Sequence, residues 1–139
     1  DIREHDPAHD SELSPEDALS RLISFMLKDI ATKRTTHLFT ELWAAANHNQ
    51  FIAERLEELH REVHAVLTQH VRRVNPSLSA EDAATLALFM YSAIDGTTMF
   101  LGYGRPWAAQ MDQMAPIATR WLVTLARTAT ADDIRTLPA

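Results

Sequence analysis

No cysteine occurs among the 139 residues, so disulfide frameworks, thiolate nucleophiles and cysteine-ligated metals are excluded. A chain without thiol chemistry fits a reducing compartment, and a cytoplasmic location is expected. Only three glycines are present. All lie between 96 and 104, which leaves no glycine-rich loop of the kind that cradles phosphate. No uninterrupted apolar run approaches the roughly 20 residues that cross a bilayer, so no membrane partner is expected. Excess positive charge is also missing, and with it the electrostatic footprint of a nucleic-acid binder.

What is present is ordinary for one folded domain: 46% hydrophobic and 23% charged residues, enough to build a sizeable core. The net charge of −6 is unevenly placed. Residues 1–17 hold Asp1, Glu4, Asp6, Asp10, Glu12, Glu16 and Asp17 against Arg3 alone. The remaining body is neutral. Residues 1–13 have no period and read as a linker or the end of a connecting helix. The first residue is Asp rather than Met, so the chain is expected to be a processed or truncated piece of something longer.

The rest reads as helices. Ser14-Pro15 with Asp17 is a strong start signal: a capping hydroxyl, proline in the first turn, then acids on the positive dipole end. Leu19, Leu22, Ile23, Met26 and Ile30 continue it as an amphipathic helix over 15–31. Leu38, Phe39, Leu42, Trp43 and Ala46 predict a second over 34–47. The third, over 50–74, carries Ile52, Leu56, Leu59, Val63, Val66, Leu67, His70 and Val74 on one side and charges on the other. Ser79 caps a fourth over 79–101 that is apolar nearly all round, so it must be buried on more than one side. Pro106 opens a fifth, to about 129, which Pro116 should kink or split. Residues 131–139 read as a loose tail. No segment alternates like a strand. The expected architecture is an all-α, five-helix bundle with its folded domain over 14–130.

Chemistry is sparse. No nucleophile–base pairing, phosphate loop or pair of catalytic carboxylates appears, so no enzyme, catalytic residue or cofactor is expected. His60 and His64 share a helix face with Glu57 one turn earlier, and His pairs at this spacing can bind zinc. The string His60-Arg61-Glu62-Val63-His64 is nevertheless not H-E-x-x-H, and only one E-x-x-H helix exists where di-iron bundles need two. A metal-binding bundle using Glu57, His60 and His64 is the alternative; two interfacial or cavity-lining histidines is the plainer reading. His5, Asp6, His9 and Asp10 make a second cluster that resembles a metal site only on paper. Phe25, Met26, Phe39, Trp43, Met90, Tyr91 and Phe100 fall at core positions, yet so many bulky side chains among five helices can also enclose a cavity. Thr97 and Thr98 could supply polar anchors there, or bond back to the preceding turn.

Three strings carry a resemblance: Phe39-Thr40-Glu41-Leu42-Trp43-Ala44-Ala45-Ala46 ahead of the long helix, Ala83-Ala84-Thr85-Leu86-Ala87-Leu88-Phe89-Met90 leading to Ile94-Asp95-Gly96, and Ile117-Ala118-Thr119-Arg120-Trp121-Leu122-Val123-Thr124-Leu125. In this order the sequence resembles the C-terminal domain of TetR-family transcriptional regulators over about 15–127. The resemblance implies a bacterial repressor that dimerises through its last two long helices and binds a small effector among its middle ones. It also implies operator binding through an N-terminal helix-turn-helix that is missing from these residues.

On this basis an apolar or aromatic effector is expected to meet Phe25, Met26, Phe39, Trp43, His60, His64, Tyr91 and Ile94. The homodimer face is expected at Leu86, Phe89, Ala93, Ile117, Arg120, Trp121 and Leu125.

Overall fold

Local signals set most helix ends. In the computed structural model, which describes residues 2, 4–7 and 12–138, Ser14 accepts from Asp17 N and opens α1 (Pro15–Ile30). Thr32 caps α2 (Lys33–Ala46) and Asn49 caps α3 (Gln50–Val74) in the same way. Ser79 accepts from Asp82 N and starts α4 (Ala80–Gly96). Each such cap satisfies an otherwise orphaned N–H and stabilises its helix by about 1 kcal/mol.

The second half of the chain departs from expectation. The fourth helix breaks at Thr97, after which one turn, α5 (Thr98–Leu101), ends it. Residues 105–110 are not the start of a long fifth helix. Successive i,i+3 bonds, Ala108 N to Arg105 O and Gln110 N to Trp107 O, wind them into tight turns. The helix proper, α6, is Met111–Thr128. Pro116 neither ends nor splits it: the single lost bond falls on the carbonyl of exposed Asp112, where solvent can serve it. The tail is not uniformly loose either. Thr130 and Asp133 form a reciprocal capping box that starts α7 (Ala131–Arg135). Arg135 then grips buried Asp82 through two bonds of 2.9 and 2.7 Å.

The core is built around α1, which buries Leu19, Leu22, Ile23 and Leu27 almost completely. It lies along α6 and α3, while α3 runs along α4 as the other close pair. Val66, Leu67 and Val71 of α3 meet Ala83, Ala87, Met90 and Ile94 of α4 in the same apolar cluster. Each fully buried aliphatic side chain of this kind contributes roughly 1.5–3 kcal/mol.

Two buried polar devices tie the elements together. Asn75, at the end of α3, donates through Nδ2 to the carbonyls of Ala126 (3.0 Å) and Ala129 (2.8 Å). Thr36 donates to Ile30 O at 2.7 Å and accepts from Tyr103 N at 2.9 Å. That second device demands glycine at 102, where a Cβ would sit 2.5 Å from Thr98 O and 2.9 Å from Thr36 Oγ1. The leader is partly folded onto the body: His5 stacks on Phe25 at 4.6 Å, and Asp6 Oδ1 lies 2.6 Å from buried His70 Nε2.

Ala80–Leu101 is the one stretch among the described residues long and apolar enough to cross a membrane, with mean hydropathy 1.3. Its inner side is a wall of the core, packed on α3. Its outer side leaves Leu88, Phe89 and Phe100 exposed.

Candidate functional site

Helix α2 is packed unlike the others. Thr36 is its only buried residue, and Phe39 and Trp43 are half-buried. Beneath them lies space rather than core. An inner cavity of about 380 Å³ is bounded by Phe25, Met26 and Ile30 of α1, Phe39 and Trp43 of α2, Leu59 and Val63 of α3, and Tyr91, Asp95 and Thr98 beyond. Ile2 and His5 of the leader close one side. An outer cavity of about 370 Å³ is lined by His60 and His64 of α3 with Leu88 and Ser92 of α4. Trp43, Tyr91 and Asp95 belong to both.

The walls are aromatic. Phe39 and Trp43 lie 6.3 Å apart, and His60 meets Tyr91 edge-on at 5.7 Å. Electrostatically the junction is unusual. Asp95 sits among these apolar groups with no ion-pair partner among the described residues, and burial pushes its pKa up to about 6. Burial also raises the Tyr91 phenol, with the Asp95 charge adding to it. The same desolvation lowers His60 and favours its neutral form, and its Nε2 is buried without a partner. The site thus offers aromatic and aliphatic walls with a desolvated carboxylate at Asp95 and a neutral imidazole at His60. The more exposed Asp29 and Arg34 also line the inner cavity, and Arg61 the outer.

Of the residues expected to meet an effector, Phe25, Met26 and Phe39 line the inner cavity, His60 and His64 the outer, and Trp43 and Tyr91 both. Ile94 is a correction: it is 1% exposed and packs in the core, outside both cavities. Thr97 bonds back to Ile94 O at 2.7 Å, whereas Thr98 lines the inner cavity. Sequence reasoning passed over Asp95 as a site residue. Its signal was available: it is the lone acid in the apolar stretch after Asp82, one turn beyond Tyr91.

The groups considered for metal do not converge. Glu57 pairs with Arg61 at 3.3 Å, while His64 Nε2 meets Ala84 O at 2.8 Å. No cluster of three or more His, Asp or Glu suited to a metal occurs among the described residues. In the leader, His5 and Asp6 turn to different partners, and His9 and Asp10 lie outside the described residues.

Of the residues expected on a dimer face, Phe89, Ala93, Ile117, Arg120 and Trp121 are exposed and Leu125 is half-buried. Leu86 is a correction, being buried on the α4 face that carries Ala83, Ala87 and Met90. Arg120 points along a different groove, between α1 and α6.

The helix order, the cavities between the middle helices and the apolar outer face on the last two long ones define an all-α bundle domain. The chain belongs to the TetR family: the family model for the C-terminal domain of BetI-type transcriptional repressors matches residues 15–127. It is therefore a TetR-type regulatory domain of a transcriptional repressor. Neither a curated protein nor a solved structure matches it.

Proposed function

We propose that the domain senses a small, largely apolar effector in the paired cavities and acts as a homodimer whose geometry governs operator binding by the repressor. The observation that carries this is the packing of α2, whose Phe39 and Trp43 face cavity space instead of a filled core. An effector with an aromatic or aliphatic body fits those walls, and a hydrogen-bond donor on it would engage Asp95. Regulation is then a population shift: the effector binds one arrangement of the dimer better than the other and draws the protein toward it.

Dimerisation is supported by the outer face. Phe89 and Phe100 of the fourth-helix region are exposed, as are Met114, Ile117 and Trp121 of α6. Apolar area of this extent usually marks an association surface. Gly96 has nothing within 4 Å of the position of a Cβ, so a partner helix could approach the α4 backbone closely there.

Thermal unfolding against lipophilic and aromatic compounds tests the effector claim. A true effector at a hundredfold excess over its Kd adds about 2.7 kcal/mol of stability. Trp43→Ala should abolish most of that gain. Silence across the panel, or gains indifferent to Trp43→Ala, would refute the cavity as the effector site.

A further inference from the structure

The groove between α1 and α6 has a volume of about 680 Å³ and a chemistry unlike that of the effector cavities. Arg21 and Lys28 of α1 and Arg120 of α6 all line it, against one carboxylate, Asp112. Elsewhere Arg55, Arg61 and Arg135 find acidic partners. None of the three groove cations has an ion pair among the described residues.

Hydroxyl groups show the same contrast. Thr40, Thr68, Ser92 and Thr128 each donate to the carbonyl four residues back at 2.8 Å, as helical hydroxyls commonly do. Ser20, Ser24, Thr119 and Thr124 line the groove. Their side chains make no such bond among the described residues. Thr119 Oγ1 is buried as well as unpartnered, an arrangement that is costly unless something satisfies it.

We infer that this groove is a second ligand site, separate from the effector cavities, that takes an organic phosphate bearing more than one phosphate group. Guanidinium forks match phosphate oxygens in pairs, and the hydroxyls add neutral donors. Arg21 and Lys28 are seven residues apart on α1, about 10 Å, which suits a chain of phosphates better than a single one. Met111, Ala115 and Val123 give an apolar floor for the organic part. The inference depends on neither effector binding nor dimerisation.

ATP in metal-free buffer at low salt is the probe, titrated calorimetrically into the whole chain. Saturable binding of one ATP per chain is expected, weakened at least tenfold by Arg120→Ala and several-fold by Thr119→Val. Arg72→Ala, an exposed cation at the far end of α3, should leave it unchanged. Tripolyphosphate should bind more weakly than ATP because it leaves the apolar floor uncovered. Absence of saturable ATP binding up to millimolar concentration would overturn the inference. So would equal loss in Arg72→Ala, since that reports diffuse charge, or citrate binding as tightly as ATP. If Thr119→Val disturbs folding in its melting curve, Arg120→Ala and Arg21→Ala at the surface decide the question alone.

Discussion

Replacing Asp95 by asparagine should stabilise the protein, and by an amount that depends on pH. Burial lifts the carboxyl from its ordinary 3.8 to about 6. The folded state therefore holds this proton more tightly than the unfolded chain does. Below the unfolded value the group costs nothing; as pH rises through 4 to 6 the folded protein loses stability, and above about 7 the loss is complete. The size is about 3 kcal/mol in full, of which about 1.4 kcal/mol falls between pH 5 and 8. An amide at 95 keeps the shape and has no charge to desolvate. Urea unfolding of wild type and Asp95→Asn at both pH values measures it, with m unchanged so that midpoints compare directly. At pH 8 the variant should be the more stable by about 1–3 kcal/mol, and by about 1.4 kcal/mol less at pH 5. His60, lowered by burial, loses stability in the opposite direction, as pH falls; it is common to both proteins and cancels. A difference that does not change with pH, or a wild type more stable at pH 8, would refute the account of Asp95 as a desolvated carboxylate.

Thr36→Val keeps the side-chain shape but removes both the bond to Ile30 O and the acceptor for Tyr103 N. Chemical unfolding should show a loss of about 2 kcal/mol, and no loss would mean that this buried clasp is idle. Trp121→Glu places a charge on a side chain that is 65% exposed in the single chain, so the fold should survive. Sedimentation should then fall from twice 15.7 kDa to 15.7 kDa, because an unpaired charge buried in a dimer interface costs several kcal/mol. A wild-type monomer at micromolar concentration, or a variant that still dimerises, would sink the interface at this face.

Where a helix end is written in three or four adjacent residues, it was legible. Ser14-Pro15 and Ser79 set their helices within a residue of expectation. The all-α class followed from the same periodicity. Ends that depend on distant residues were not legible. Helix α7 has a local cap, but it is held to the body by Asp82, 53 residues earlier in the chain. The turns at 105–110 replace a helix because the chain must double back after Gly102, which periodicity does not encode. In the site, four aromatic residues, Met26 and the pair His60 and His64 are the expected positions that line the cavities. Which of two apolar faces looks inward is decided by packing, which buries Leu86; whether an inward position meets core or cavity is decided the same way, and Ile94 meets core.

The clamp at Asn75 makes a lever of the longest helix. With its C-terminal end pinned to the carbonyls of Ala126 and Ala129 and all its buried residues at Val63 or later, α3 is least restrained at its other end. A rotation of about 3° about that pin moves His60 by about 1 Å and Gln50 by about 2 Å, at 1.5 Å of rise per residue. The fulcrum stands on α6, the helix that presents Ile117 and Trp121. Pressure applied to the long arm would reach the outer face as torque through this carboxamide and through the core that α3 shares with α4 and α6.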